Sequence, residues 1–124
     1  GGLADSIPIE YALEKGNDKI VVVLTRNPGY RKKRALKATE QLYKRAYKKY
    51  PNLVRAIMTR NAVYNRQMKL IEKLEEEGKI FVIRPLIPTV SRMEKDYDKL
   101  QHFYMHGNRL MKKEYQGLLE YLNE

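Results

Sequence analysis

A short apolar run restricts the fold of this chain more than any other feature. Ile20–Leu24, inside the stretch Lys19–Arg26 (KIVVVLTR), are five consecutive apolar residues that do not alternate with polar ones. Such a run is typical of a β-strand that is buried on both faces of a parallel sheet. It is too short to span a bilayer, and its β-branched residues disfavour a helix. Because ligands of open α/β sheets bind beyond the carboxyl ends of the strands, Thr25–Tyr30 indicate where a site should lie.

A second apolar run completes the predicted fold class. Lys79–Ile83 (KIFVI) predicts a second strand, and the two strands are expected over residues 19–26 and 79–84. We expect a helix-rich α/β fold with two short, parallel, buried strands and helices packed on them, in the order α-β-α-α-α-β-α. Two strands alone make a poor sheet, so partner strands are expected upstream of Gly1. Residues 1–124 are therefore interpreted as a single domain, the C-terminal fragment of a larger protein.

Capping residues and glycines predict the first two helices. Asp5 and Ser6 are expected to cap a first helix that ends at Gly16, a residue type that tolerates the left-handed conformation after a helix. Apolar or small residues recur every three or four positions over residues 35–50, which predicts an amphipathic helix whose other face is basic.

Three more helices are predicted in the rest of the chain. Pro51 is expected to end the basic helix and begin a shorter one, because proline cannot donate a helical hydrogen bond. Asn61 is expected to cap a separate helix that ends before Gly78. Ser91–Glu94 fit the S-x-x-E capping box, which predicts a C-terminal helix over residues 91–124.

The positive charge of the chain is concentrated in one region. Residues 26–70 contain 14 Lys/Arg and one acidic residue, Glu40, giving +13, while the remainder carries −3 of the total of +10. This strongly basic region, expected to be helical, indicates either an anionic partner or a solvated face. The residues expected to contact an anionic surface are Arg31, Lys32, Lys33, Arg34, Lys44, Arg45, Lys48 and Lys49.

Residues that carry chemistry are sparse. The chain has no cysteine, which excludes disulfides and thiolate metal sites and is compatible with a reducing cytoplasm. It also lacks a P-loop, a G-x-G-x-x-G loop and a G-x-S-x-G nucleophile elbow. Ser6 and Ser91 are the only serines, and both have capping explanations. His102 and His106 share a helix face, but no third ligand is evident, so neither a metal nor a cofactor is predicted.

Tyrosines alternate with the basic residues in two stretches, Tyr30–Arg34 and Tyr43–Tyr50. Aromatic rings in a basic groove can stack on the bases of single-stranded nucleic acid. Tyrosines at helical spacing can equally pack at the edge of a core, and a basic face with aromatic flanks suits an anionic lipid surface. All three interpretations are compatible with the residues alone.

The beginning of the chain resembles a segment of the patatin-like phospholipases. In that family a catalytic Asp stands in an Asp-Gly-Gly or Asp-Gly-Ala motif, followed by an Asn/Asp-x-x-Pro segment, a helix and a strand. Gly1 and Gly2 match the two residues after that Asp, and Asp5–Pro8 (DSIP) match the second segment. The Leu-Thr-Arg…Gly-Tyr-Arg-Lys-Lys stretch of one bacterial branch is similar to Leu24–Lys33. Two further segments resemble that branch, Ile83–Pro85 and Leu100–Gly107.

This resemblance implies a serine acyl hydrolase that cleaves acyl esters of lipids with a Ser–Asp dyad. In such an enzyme the Asp acts as general base for the serine, and a glycine-rich loop supplies oxyanion-hole donors. The matching places the serine, the loop and the catalytic Asp upstream of Gly1, with the Asp immediately before it. Asp5 matches the Asn/Asp of the following segment and not the catalytic residue. The chain is therefore predicted to be inactive by itself.

The same interpretation predicts partners and location. We expect a lipid or other acyl ester as substrate of the full protein, a cytoplasmic location and peripheral contact with an anionic membrane. A fragment separated from its neighbouring strands exposes a sheet edge, so homo-oligomers are expected. A nucleic-acid-binding module and a purely structural domain are the alternative functions.

Overall fold

A computed structural model describes all 124 residues. Four helices and two strands follow one another along the chain: α1 (Ile9–Glu14), β1 (Val21–Val23), α2 (Lys37–Ala46), α3 (Pro51–Glu76), β2 (Phe81–Ile83) and α4 (Tyr97–Asn123). β1 and β2 pair in parallel, with Val22 opposite Val82. This confirms the predicted α/β class with two short parallel strands. Both strands are shorter than the predicted 19–26 and 79–84.

The chain forms two compact units. Residues 1–17 and 31–73 make up the first unit, which contains α1, α2 and most of α3. Residues 18–30 and 74–124 make up the second unit, which contains both strands and α4. The least exposed side chains of the first unit are Ile9, Gln67, Met68 and Ile71. Those of the second unit include Leu24, Ile80 and Tyr121.

Strand β1 is buried on one face only, contrary to the prediction. Val22 and Leu24 are 8% and 7% exposed, whereas Val21 and Val23 are 39% and 70% exposed. α4 lies over β2, where the Phe81 and Tyr121 rings are 5.8 Å apart. Because α4 packs on β2, the face of β1 that carries Val21 and Val23 remains exposed to solvent.

The ends of α1 and α3 confirm the predicted role of glycine. Gly16 and Gly78 follow the two helices with φ of +71° and +70°. At the end of α3 the Gly78 N–H donates to the Glu75 carbonyl (3.0 Å) and the Lys79 N–H donates to the Leu74 carbonyl (2.9 Å). This pair of bonds satisfies carbonyls that the helix leaves without partners.

The predicted cap of α1 is wrong. Pro8 occupies the N-cap position of this helix and makes no side-chain hydrogen bond there. Ser6 Oγ instead donates to the Gly2 carbonyl (2.9 Å), and Asp5 bonds to Gln67 on α3. Asp5 and Ser6 therefore hold the segment before α1 in place and do not cap the helix.

The predicted helix break at Asn61 is also wrong. Helix α3 passes through this residue without interruption, so the two helices expected there are one. Asn61 Nδ2 donates to the Lys33 carbonyl (2.6 Å), and the Asn65 side chain both accepts from the Lys32 N–H and donates to its carbonyl (2.8 Å each). These amides hold residues 31–36 in a non-helical conformation, so the basic region is helical only from Lys37.

Helix α4 begins later than the capping box predicts. Its N-cap is Asp96, whose carboxylate accepts from the Asp98 and Lys99 amides. Ser91 Oγ accepts from the Met93 N–H (3.1 Å), and Glu94 Oε1 accepts from the Lys95 and Asp96 amides. The C-terminal helix therefore covers Tyr97–Asn123 and not 91–124. None of the helices combines the length and the apolar character that a membrane span needs.

Candidate functional site

Three of the eight predicted contact residues have partners inside the protein. Arg31 Nη2 lies 2.6 Å from Glu72 Oε2, and Lys44 Nζ lies 2.8 Å from Glu40 Oε1. Lys32 Nζ lies 4.2 Å from the centroid of the Tyr64 ring, which is a cation–π distance. The other five form no salt bridge and make up what we call the basic surface: Lys33, Arg34, Arg45, Lys48 and Lys49.

Glu40 forms its salt bridge with Lys44 and with none of the five cations of the basic surface. The hydrogen bond from Lys44 lowers the pKa of the Glu40 carboxyl below its usual value, and the charges of Lys44, Arg34 and Lys37 lower it further. The carboxylate is therefore ionised at neutral pH. This ion pair is fully formed above the ordinary pKa of a glutamate and is lost as the pH falls through the lowered pKa.

A groove of about 380 Å³ lies between α2 and α3. It is formed by α2, by the tight turn that follows α2 and by the first turns of α3, because Pro51 begins α3 directly after that turn. We call it the α2–α3 groove. Its apolar lining comes from Tyr47, Pro51, Val54 and Met58, and its polar lining from Glu40, Lys44, Lys48, Arg55 and Thr59.

Arg55 is a residue that the sequence analysis missed. Arg55 lies on α3, whereas Lys44 lies on α2 and Lys48 in the turn after α2, and the groove brings the three cations around one apolar floor. The sequence gives only a weak indication of its role, because Arg55 is one of many basic residues in this region. The sequence does not show which of them lie near each other in the fold.

The tyrosines of the basic region do not form a row of free rings. Tyr43 and Tyr47 stack on each other, with centroids 6.1 Å apart and planes 17° apart. Arg26 lies 4.9 Å from the Tyr30 ring, and the Tyr64 ring is only 6% exposed. Tyr50, which is 62% exposed, is the ring most open to a stacking partner.

The polar residues after β1 connect loops of the second unit. Asn27 Nδ2 donates to the carbonyls of Pro85 (3.1 Å) and Ile87 (2.6 Å), which follow β2. An apolar groove of about 290 Å³ lies near the carboxyl ends of the strands, against α4. His106 lines this groove, and its Nε2 accepts from the Leu86 N–H (3.1 Å). Asn27 and His106 therefore have structural partners at the place where a site was predicted.

The residues at the start of the chain that carry the family resemblance lie in a turn. The Gly1 carbonyl accepts from the Ala4 and Asp5 amides (3.0 Å each), and Gly1 and Gly2 are exposed. Asp5 accepts a hydrogen bond from the amide of Gln67, which is 2% exposed. Gln67 Oε1 in turn accepts from the Ile7 N–H at 3.3 Å. Asp5 thus satisfies a buried amide.

No group of three histidine, aspartate or glutamate side chains is arranged to hold a metal ion. The two serines bond to backbone groups near them in sequence, Ser6 to Gly2 and Ser91 to Met93. The most distinctive arrangement for ligand binding is therefore the basic surface with the α2–α3 groove beside it.

The fold and this site define a mixed α/β protein with a basic surface along α2 and the segments on either side of it. The chain belongs to the family described as Domain of unknown function (DUF6363), which matches residues 50–123 and so more than half of the chain. The matched part contains α3, β2 and α4, including Arg55 of the groove, and excludes α2. No curated protein and no solved structure matches the chain.

Proposed function

We propose that this chain is the non-catalytic C-terminal part of a patatin-like serine acyl hydrolase and that its basic surface attaches the enzyme to anionic lipid. The resemblance of the Gly1–Pro8 and Leu24–Lys33 segments to that family supports the first part. The parallel pairing of β1 with β2 is compatible with a larger open sheet that continues beyond these two strands. The open face of β1 is also compatible with further elements over it.

One observation carries the lipid-binding part of the proposal. The segment that carries the five unpaired cations, residues 33–49, also carries two large apolar side chains that are open to solvent: Leu36 (75% exposed), two residues after Arg34, and Leu42 (66%), three residues before Arg45. Cations attract anionic headgroups by about 1 kcal/mol each near a membrane surface, and exposed apolar side chains can enter the headgroup region. Nucleic acid would use the cations but not the leucines. The mutual stacking of Tyr43 and Tyr47 also reduces the ring area available to bases.

Reversal of two charges of the basic surface is expected to weaken lipid binding. We expect the Arg45→Glu/Lys49→Glu variant to bind phosphatidylglycerol vesicles about tenfold more weakly or worse, because each substitution replaces attraction by repulsion. The measurement is co-sedimentation with phosphatidylglycerol and with phosphatidylcholine vesicles at fixed ionic strength. Lys112→Glu/Lys113→Glu, two adjacent exposed lysines of α4, is the matched control and should bind nearly as well as the native chain.

Two results would contradict this lipid-binding proposal. Equal weakening by both double variants would mean that net charge alone attracts the vesicles. Tighter binding to single-stranded DNA than to phosphatidylglycerol, with a steep loss on adding salt, would favour the nucleic-acid alternative.

The hydrolase part of the proposal predicts that this chain does not cleave esters by itself. Asp5 is bonded to Gln67 and Ser6 to the Gly2 carbonyl, so neither is available as a base or an activated nucleophile. Short-chain p-nitrophenyl esters should be hydrolysed at the background rate, and a fluorophosphonate probe should label no serine. Turnover that persists in Asp5→Ala and Ser6→Ala variants would show that the chain carries other catalytic residues.

A further inference from the structure

We propose that the α2–α3 groove binds a free long-chain fatty acid, with the carboxylate between Lys48 and Arg55 and the acyl chain on the apolar floor. The biological role of this site rests on the proposed function, because hydrolysis of an acyl ester releases a fatty acid and an alcohol. The binding itself rests on the lining of the groove.

The floor of the groove suits an acyl chain. Val54 is buried, with 8% of its surface exposed, and Met58 beside it is half-buried. Pro51 and Tyr47 extend this apolar lining toward the turn between the helices. The volume of about 380 Å³ lies within the range in which proteins bind small molecules, about 300–1,000 Å³.

The rim of the groove suits a carboxylate. Lys44 is already neutralised by Glu40, whereas Lys48 and Arg55 have no acidic partner. The groove therefore carries an excess of positive charge next to apolar surface, which complements an anionic head on an apolar tail. The planar guanidinium of an arginine can bind a carboxylate through two parallel hydrogen bonds.

The same lining favours a fatty acid over other anions. A nucleotide would need an aromatic face on which to stack, and the Tyr47 ring already stacks on Tyr43. An inorganic anion would leave Val54 and Met58 uncovered. A carboxylate has two acceptor oxygens, one for each of the two cations that have no acidic partner.

The test uses the full chain and the fluorescent fatty acid cis-parinaric acid. The chain contains no tryptophan, so the probe is observed without tryptophan fluorescence from the protein. We expect saturable binding of one probe per chain, and affinity at least about tenfold lower in Lys48→Ala/Arg55→Ala, since two charge-assisted hydrogen bonds are removed. Lys112→Ala/Lys113→Ala is the matched control and should bind like the native chain.

Two further measurements separate the carboxylate from the acyl chain. The methyl ester of the probe keeps the chain but not the charge, and should bind about tenfold more weakly than the acid. Met58→Phe, which adds no tryptophan, should reduce binding by narrowing the space above the floor while circular dichroism shows an unchanged helix content. Equal affinity for acid and ester, or unchanged affinity in Lys48→Ala/Arg55→Ala, would overturn the inference.

The result of the parinarate experiment is independent of the result of the vesicle experiment. Arg45 and Lys49 do not line the groove, so Arg45→Glu/Lys49→Glu should lose vesicle binding and retain parinarate binding. Vesicle binding without parinarate binding would overturn the fatty-acid site and leave the proposed function intact. Parinarate binding without vesicle binding would support the site and contradict lipid attachment.

Discussion

Replacement of Ile71 by alanine is expected to lower the free energy of unfolding by about 2–5 kcal/mol. Ile71 is 0% exposed, and Gln67 and Met68, one turn earlier on α3, are each 2% exposed. Removal of three carbon atoms at this position leaves a cavity that water cannot fill favourably and that the surrounding packed groups fill only in part. Because α3 also carries Val54, Arg55 and Met58, its stability determines whether the α2–α3 groove exists.

Two substitutions make the Ile71 experiment specific. Ile71→Val removes one methylene group and should cost about 0.5–1.5 kcal/mol. Leu42→Ala makes a comparable aliphatic truncation at a side chain that is 66% exposed, and should change stability by no more than about 0.5 kcal/mol. The measurement is equilibrium unfolding in guanidinium chloride. A similar loss in Ile71→Ala and Leu42→Ala would mean that Ile71 is not a core residue.

The sequence was sufficient to predict the elements whose signals are local. The apolar runs at Ile20–Leu24 and Lys79–Ile83 located both strands, and Gly16 and Gly78 located the ends of two helices. These signals work because backbone conformation and side-chain periodicity act within a few residues of each other.

Two helix-cap predictions failed because the polar side chain bonds to a partner that is distant in sequence. Asn61 and Asn65 bond to the backbone of Lys33 and Lys32, 28 and 33 residues earlier, so Asn61 does not begin a helix. Asp5 likewise bonds to Gln67, 62 residues away. Local capping and long-range bonding satisfy the same donors and acceptors, and only the packed fold decides between them.

The candidate site was predictable in composition but not in arrangement. Charge counting located the basic region, yet it did not reveal that Arg31 and Lys44 are neutralised by Glu72 and Glu40. The convergence of Lys48 with Arg55 depends on the turn that joins α2 to α3, and the periodicity of the two helices does not predict its geometry. Burial of β1 was overestimated for the same reason, since an apolar run does not show which of its faces receives a helix.

Tyr121→Ala is expected to lower the free energy of unfolding by about 3–5 kcal/mol, because it removes a buried ring together with its hydrogen-bonded hydroxyl. The Tyr121 ring is 7% exposed and packs 5.8 Å from Phe81. Its hydroxyl accepts a hydrogen bond from the Ile20 N–H (3.0 Å) and lies 3.0 Å from the Lys79 carbonyl, to which it can donate. Tyr121 therefore connects α4 to Ile20, directly before β1, and to Lys79, two residues before β2.

The Tyr121→Phe variant separates the contribution of the hydroxyl to stability from the contribution of the ring. This variant keeps the packing on Phe81 but leaves the Ile20 N–H and the Lys79 carbonyl without this partner, at an expected cost of about 1–3 kcal/mol. Hydrogen exchange of the Ile20 amide should accelerate in Tyr121→Phe more than global destabilisation alone predicts, because its acceptor is gone. Tyr115→Phe and Tyr115→Ala, on the same helix at a side chain that is 54% exposed, should leave stability nearly unchanged. Unaltered exchange at Ile20 in Tyr121→Phe would show that this hydroxyl does not connect α4 to the sheet.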